Sequence, residues 1–145
     1  MFKKLISTSD DFSLTILRVV LGIVFFVHGA QKLLGWFGGF GLTGSLGFMH
    51  QIGIPAPLAF LAIATEFFGG LGLIFGFLAR IPALGISVNM IVAIFTVHLS
   101  NGFFMNWIGT QKGEGFEFHL LVIAMAVTLL LRGAGKFSVD HALSR

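Results

Sequence analysis

The residues of this sequence that could do chemistry are a few ionisable side chains set within long apolar stretches. Glu66 lies near the middle of the segment from Ala56 to Leu78, whose other residues suit a lipid environment. An ionised side chain in hydrocarbon costs roughly 2.5 to 3.5 kcal/mol on insertion scales, so such a residue usually faces protein and meets a partner. His28 and Lys32 interrupt the preceding apolar stretch and are the first candidates for that partner.

Other candidates lie at the ends of the apolar stretches. Gln31 precedes Lys32, His98 lies near the end of the third stretch, and Glu117 and His119 lie near the start of the fourth. Two residues correspond to about 200° around a helix, so only Glu117 or His119 is expected to face a shared site. With both chain ends on one side of the membrane, these side chains gather in the half of the bundle away from the termini.

A histidine and a desolvated carboxyl in such a pocket can exchange protons with a bound molecule. A quinone fits, because it is apolar enough to enter from lipid, it can stack on aromatic residues, and its two oxygens take up protons on reduction. We predict His28 and Glu66 as catalytic residues. The predicted ligand contacts are Lys32, Gln31, Glu117, His119 and His98. Alternatively, Glu66 is protonated, or pairs with Lys32 or His28, only to fix the helix register.

Other chemistries have less support in the sequence. No helix carries E-x-x-H or H-E-x-x-H spacing, which disfavours metal and haem, although His28, Glu66, His98 and His119 could meet from different helices. The Gly-rich residues 38–47 lack the Lys-Ser/Thr of a phosphate loop. The chain has no cysteine, so any thiol chemistry belongs to a partner. Its basic residues are scattered singly, so no nucleic-acid partner is expected.

The composition predicts the elements that position these residues. Hydrophobic residues make up 56% of the 145 residues and charged residues 10%, which is typical of a membrane domain. We predict one all-α domain, residues 1–145, built as a bundle of four transmembrane helices in the lipid bilayer. The predicted helices are about residues 12–36, 57–78, 82–101 and 114–132, with a short interfacial segment between the first two.

Helical periodicity indicates which helix faces meet. On the first helix, Arg18, Gly22, Phe25, Gly29 and Lys32 share one stripe, with His28 beside it. On the second helix, the Glu66 stripe carries small residues, which are typical of close helix contacts in membranes. We therefore expect these glycines to be packing positions, and we expect Gly-rich faces to support a homo-oligomer.

The basic residues predict an orientation. Most of them fall on the side of the termini: Lys3, Lys4, Arg18, Arg80, Arg132, Lys136 and Arg145. Only Lys32 and Lys112 fall on the other side, so both termini are expected in the cytoplasm and the protein in the cell membrane as a multi-pass protein. Arg18 and Asp140 then lie at the same face, where they either close the bundle or are solvated independently.

Several longer motifs extend through most of the chain: RVVLGIVFFVHGAQKLLGWFGGFG, ATEFFGGLGLIFGFLARIPA, GFFMNW, EGFEFHLL and GAGKFSVD. Together they resemble the DoxX family of small four-helix membrane proteins. The family pattern implies roles for these polar and glycine positions: Arg18, His28, Gly29, Lys32, Glu66, Gly69, Gly70, Glu117 and Asp140.

The resemblance implies a link to redox chemistry. The family is named after a membrane subunit associated with thiosulfate and quinone oxidoreduction, and other members resemble partners of superoxide-detoxifying and thiol-handling enzymes or of quinone stress responses. The expected function is a redox-associated membrane subunit that binds a quinone or similar lipophilic aromatic molecule. The alternatives are a non-catalytic scaffold for soluble oxidoreductases and a small transporter, for which four helices leave little room.

Overall fold

All the regular secondary structure in residues 2–144, the part of the chain that the computed structural model describes, is helical. Arg145, which the orientation argument includes, lies outside these residues. The helices are α1 Phe2–Ile6, α2 Phe12–Leu34, α3 Gly41–Gln51, α4 Ala56–Phe75, α5 Arg80–Ala93, α6 Glu117–Arg132 and α7 Val139–Ser144. We call the end of the bundle with α1 and α7 the terminal end, and the opposite end, with α3, the loop end.

Three helical segments in the described chain are long and apolar enough to cross a membrane. They are Phe12–Leu34, Ala56–Phe75 and Arg80–Asn101; the last continues α5 through a π-helical segment, Ile94–His98, and a 3-10 turn, Leu99–Asn101. α6 has 16 residues and therefore spans about 24 Å, less than the roughly 30 Å of hydrocarbon. Four spanning helices therefore remain a prediction, although the all-helical architecture is observed.

Helix boundaries differ from the predicted ones for local reasons. α4 ends at Phe75 because Gly76 adopts a left-handed conformation and its N–H caps the last turn, so the G-x-x-x-G spacing at Gly72 and Gly76 marks a helix end. α5 already begins at Arg80, since a proline in the first turn needs no N–H partner. α6 begins at Glu117, because the backbone N–H groups just before it bind carbonyls of residues 102–104.

Glycines bring α2 and α4 into close contact. A Cβ on Gly22 would lie 2.8 Å from the carbonyl oxygen of Gly70, and one on Gly70 would lie 2.5 Å from the backbone nitrogen of Phe26. A Cβ on Gly29 would overlap the backbone of Phe67. The predicted role of Gly29 and Gly70 as packing positions agrees with this geometry, whereas Gly69 faces Pro82 of α5.

The apolar core is formed mainly by α2, α4, α5 and α6. Its buried residues are Leu21, Phe25, Leu73, Ala79, Ala83, Ile86, Met90, Val122, Ala126, Leu129 and Ala134. Their side chains fill the space between the helices and leave the long outer faces of the bundle apolar and exposed, as lipid contact requires.

Arg18 and Asp140 close the terminal end of the bundle, and each is only 1% exposed. Arg18 donates hydrogen bonds to four carbonyl oxygens, including Leu73 and Ile74 at the end of α4. The Asp140 carboxylate accepts from the backbone N–H groups of Leu78, at 2.7 Å, and Ala79, at 2.9 Å. The two residues thus cap the two helix ends that flank the α4–α5 turn, where Leu78 has a φ of +50°.

The surroundings of Asp140 act on its protonation in opposite directions. Burial raises the pKa of Asp140, while the hydrogen bonds from Ala79 and Leu78 and the charge of Arg18 lower it. The carboxyl stabilises the turn chiefly as a hydrogen-bond acceptor for N–H groups that have no partner within their own helix. Of the two sequence-based alternatives for this pair, the structure favours closure of the bundle over independent solvation.

Candidate functional site

Lys32 and Glu66 form the centre of the candidate site. The Lys32 Nζ atom lies 2.6 Å from both carboxylate oxygens of Glu66. Glu66 is 5% exposed. The Lys32 side chain is 32% exposed, so the lysine side of the ion pair is partly open to the surroundings of the bundle. An ammonium group has three donors, and two of them are directed at Glu66. The third is available to another acceptor.

The close α2–α4 contact explains why this pair forms. Lys32 follows Gly29 by three residues on α2, and Glu66 precedes Gly70 by four residues on α4, so both lie on the faces that the glycines bring together. The glycines allow the two backbones to approach, and this approach places the ammonium on the carboxylate. The predicted pairing of Glu66 with Lys32 is therefore seen in the structure.

His28 lies at the edge of the same contact. It is exposed on the surface of α2, within electrostatic range of both Lys32 and Glu66. Because His28 is exposed on a spanning helix, its imidazole faces lipid or another protein chain. The nearby Glu66 carboxylate, in contrast, is buried. The cluster of His28, Lys32 and Glu66, which we call the α2–α4 cluster, thus reaches from the helix contact to the outer surface.

Aromatic rings lie on the same two helices as the α2–α4 cluster, and the sequence pattern did not single them out. The rings of Phe26 and Phe67 are 5.2 Å apart, and those of Phe67 and Phe68 are 5.1 Å apart in an edge-to-face arrangement. Phe67 and Phe68 follow Glu66 directly, and Phe68 is exposed. These rings form an apolar surface that a flat aromatic molecule can stack against.

A second pair of candidate residues meets between α5 and α6. The rings of His98 and His119 lie 4.1 Å apart. His98 Nδ1 is 2.8 Å from the carbonyl oxygen of Glu114, so this nitrogen donates the hydrogen bond. His119 is 6% exposed, and its Nδ1 has no hydrogen-bond partner within the described residues. The π-helical segment Ile94–His98 brings His98 to this position.

Glu117 and Gln31 bind the neighbouring loops. Glu117 accepts hydrogen bonds from the backbone N–H of Met105, at 2.8 Å, and from the indole N–H of Trp107, at 3.3 Å. Gln31 donates to the carbonyl oxygen of Phe37 at 3.3 Å. Glu117 and His119 thus point to different surroundings, as their spacing predicts, and His119 is the one that turns into the bundle.

The predicted site residues therefore fall into two groups, and a single pocket that joins them stays a prediction. In the part of the chain that the structure describes, no hydrogen bond, ion pair or ring contact joins the α2–α4 cluster to the His98–His119 pair. That same part contains no group of three or more side chains placed to hold a metal ion. Chemically, the α2–α4 cluster offers an ammonium donor, a carboxylate and an imidazole.

The fold and this cluster define a multi-helix integral membrane protein with an ion pair inside its helix contact. The model of the DoxX family matches residues 13–99, and the chain belongs to the DoxX family. The matched region contains α2 to α5 and hence the whole α2–α4 cluster.

Named relatives support the same class. The chain is 32% identical to the Bacillus subtilis (strain 168) protein named "Putative oxidoreductase CatD", over 91% of this chain and 87% of that protein. It is 28% identical to "Inner membrane protein YqjF" of Escherichia coli (strain K12), over 94% of this chain and 95% of that protein. No solved structure matches the chain. The protein is thus a membrane protein of a family that includes a member named as an oxidoreductase.

Proposed function

We propose that this protein is a redox-associated membrane subunit that binds a quinone or a similar lipophilic aromatic molecule at the α2–α4 cluster. The observation that carries the proposal is the Lys32–Glu66 pair, in which both oxygens of a buried carboxylate lie 2.6 Å from one ammonium nitrogen. Removing a charged pair from water into an apolar helix contact costs free energy. We therefore expect the Lys32–Glu66 pair to have a purpose beyond packing.

The chemistry of the cluster fits a molecule with a carbonyl or phenolic oxygen on an aromatic ring. The third donor of Lys32 provides a hydrogen bond to that oxygen, and the apolar side chains of α2 and α4 provide the surroundings for the ring. His28, on the exposed side of α2, is placed to exchange a proton with a molecule that arrives from lipid. In this proposal the chain supplies binding and protons.

The electrons for any reduction come from an oxidoreductase partner in this proposal. The sequence contains no cysteine, so a thiol step cannot be performed by the chain alone. A relative over most of this chain is named as an oxidoreductase, which supports a role in the same class of chemistry. The bilayer is the route by which a lipophilic ligand reaches the site.

Titration of the detergent-purified protein with a ubiquinone analogue tests this proposal. We expect saturable binding that weakens at least tenfold, or about 1.4 kcal/mol, in Glu66→Gln and in His28→Ala. Glu114→Gln and His50→Ala are matched controls, because Glu114 binds the backbone N–H of Asn106 and His50 is exposed on α3. Equal binding by all four variants, or none by the native protein, contradicts the proposal.

A second candidate function is a non-catalytic scaffold for soluble oxidoreductases. Lys32 and Glu66 already neutralise each other's charge, which favours this candidate. No ligand is needed at the pair if its role is only to fix the register of α2 against α4. This candidate predicts that a cofactor-bearing protein copurifies and that its activity with Glu66→Gln equals that with the native chain. Loss of that activity in a folded Glu66→Gln variant argues against the scaffold and for the ligand site.

A further inference from the structure

A groove at the terminal end of the bundle combines apolar and basic side chains. It has a volume of about 420 Å³ and is lined by Phe2, Lys4, Leu5 and Arg80. Two of these residues are cationic and two are apolar, and α1 supplies three of the four. The groove lies at the opposite end of the bundle from the α2–α4 cluster and belongs to no function described above.

Arg80 is held in place by neutral acceptors only. Its guanidinium donates to the carbonyl oxygens of Leu130, Leu131, at 3.2 Å, and Ser7, at 3.0 Å. Its Nε is buried and has no hydrogen-bond partner in the described chain. The side chain is therefore fixed at the junction of α1, α5 and α6 by three carbonyl oxygens.

No carboxylate neutralises the groove directly. Across residues 2–144, neither Lys4 nor Arg80 forms an ion pair with an acidic side chain. Asp140 lies within electrostatic range of Arg80, but its carboxylate oxygens accept hydrogen bonds from the backbone N–H groups of Leu78 and Ala79. Two cations without a paired anion therefore give this apolar groove a net positive charge, to which an anion from outside the chain is complementary.

The surroundings of the groove indicate what carries this anion. Next to Arg80 on α5, Ile81 is 53% exposed, and Leu131, whose carbonyl Arg80 binds, is 69% exposed on α6. These are faces that acyl chains cover in a membrane. We propose that the groove binds an anionic phospholipid, with its phosphate against Lys4 and Arg80 and its chains along Ile81 and Leu131. Basic pockets at the ends of spanning helices suit such headgroups.

Native mass spectrometry of the protein in a neutral detergent tests this inference with defined lipids. We expect phosphatidylglycerol to be retained and phosphatidylcholine, which has no net charge, to be lost. Lys4→Gln should weaken phosphatidylglycerol binding about fivefold, the factor that corresponds to about 1 kcal/mol per basic residue near an anionic lipid. Lys3→Gln is the matched control, because it removes the same charge from the neighbouring exposed position, outside the groove.

Each of the other outcomes overturns the inference. Equal weakening by Lys3→Gln and Lys4→Gln shows general attraction of anions to the basic chain end and no site in the groove. Equal retention of the two lipids shows that the net negative charge of the lipid is not recognised, because phosphatidylcholine carries the same phosphate group and differs by its choline cation. If inorganic phosphate displaces bound phosphatidylglycerol completely at matched concentration, the groove is a site for a free anion, because the acyl chains then contribute nothing.

Discussion

Substituting Gly29 by alanine tests whether the glycine contact creates the candidate site. The added Cβ would overlap the backbone of Phe67 and lie 2.8 Å from the carbonyl carbon of Glu66. Ordinary contacts between carbons are about 3.5 to 4.0 Å, so α2 and α4 must separate locally by about 1 Å. The obstacle is backbone, which cannot rotate away as a flexible side chain does.

The expected stability change follows from two opposing terms. Overpacking of this kind costs roughly 1 to 3 kcal/mol, while alanine in place of glycine in a helix gains about 0.5 to 1 kcal/mol. Gly29→Ala should therefore lose between about 0 and 2.5 kcal/mol net, and about 1 to 3 kcal/mol relative to a Gly→Ala change that meets no obstacle. Gly47→Ala is the control, because Gly47 lies within α3 and a Cβ there meets nothing within 4 Å, so only the gain remains.

Thermal or SDS-induced unfolding of the purified variants, followed by circular dichroism, measures this difference. Ligand titration of the folded Gly29→Ala protein adds a second measurement, because a shift of about 1 Å lengthens the 2.6 Å Lys32–Glu66 contacts beyond good hydrogen-bond geometry. If Gly29→Ala is as stable as Gly47→Ala, the two helices do not meet as described, and that result would falsify the explanation given for the ion pair.

Three further predictions concern other parts of the molecule. Asp140→Ala should destabilise the protein by about 2 to 4 kcal/mol in the same unfolding assay, because one buried and one partly buried backbone N–H group lose their acceptor; a loss below 1 kcal/mol contradicts the capping role. His119→Phe should preserve or raise the unfolding temperature, since it removes an unpaired buried nitrogen while keeping a ring; a marked fall shows that this nitrogen has a partner. Single cysteines at Lys3 and Lys112 should react with an impermeant thiol reagent from opposite sides of the membrane, with Lys3 cytoplasmic, and labelling of both from one side refutes the predicted topology.

Some features of the fold were predictable because they depend on periodicity within one helix. The stripe with Arg18, Gly22, Phe25 and Gly29 is buried, and Glu66 faces protein, as 100° per residue requires. The helix ends were less predictable. In the sequence, Gly76 continues an apolar pattern. The structure shows that α4 has already ended there, because Gly76 has a left-handed backbone and Asp140 accepts hydrogen bonds from the N–H groups that follow it.

The partners of the ionisable residues depend on distances between helices, which periodicity does not contain. The sequence correctly separated Glu117 from His119, but the loop N–H groups that Glu117 binds come from residues 105 and 107, whose path no pattern specifies. The approach of His98 to His119 depends on the π-helical segment that rotates the end of the third span. The predicted single pocket was the simplest arrangement, and these local departures from it are what divide the residues into two groups.

The position of the Lys32–Glu66 pair restricts which ligand the α2–α4 cluster can accept. A ligand that displaced Lys32 from Glu66 would leave a buried carboxylate without its partner, at a cost of about 3 to 5 kcal/mol. A ligand that accepts only the third ammonium donor avoids this cost. A neutral molecule with a carbonyl oxygen satisfies that condition, whereas an anionic ligand competes with Glu66 for the same cation. The geometry of the pair therefore favours a neutral quinone over a carboxylate or phosphate at this position.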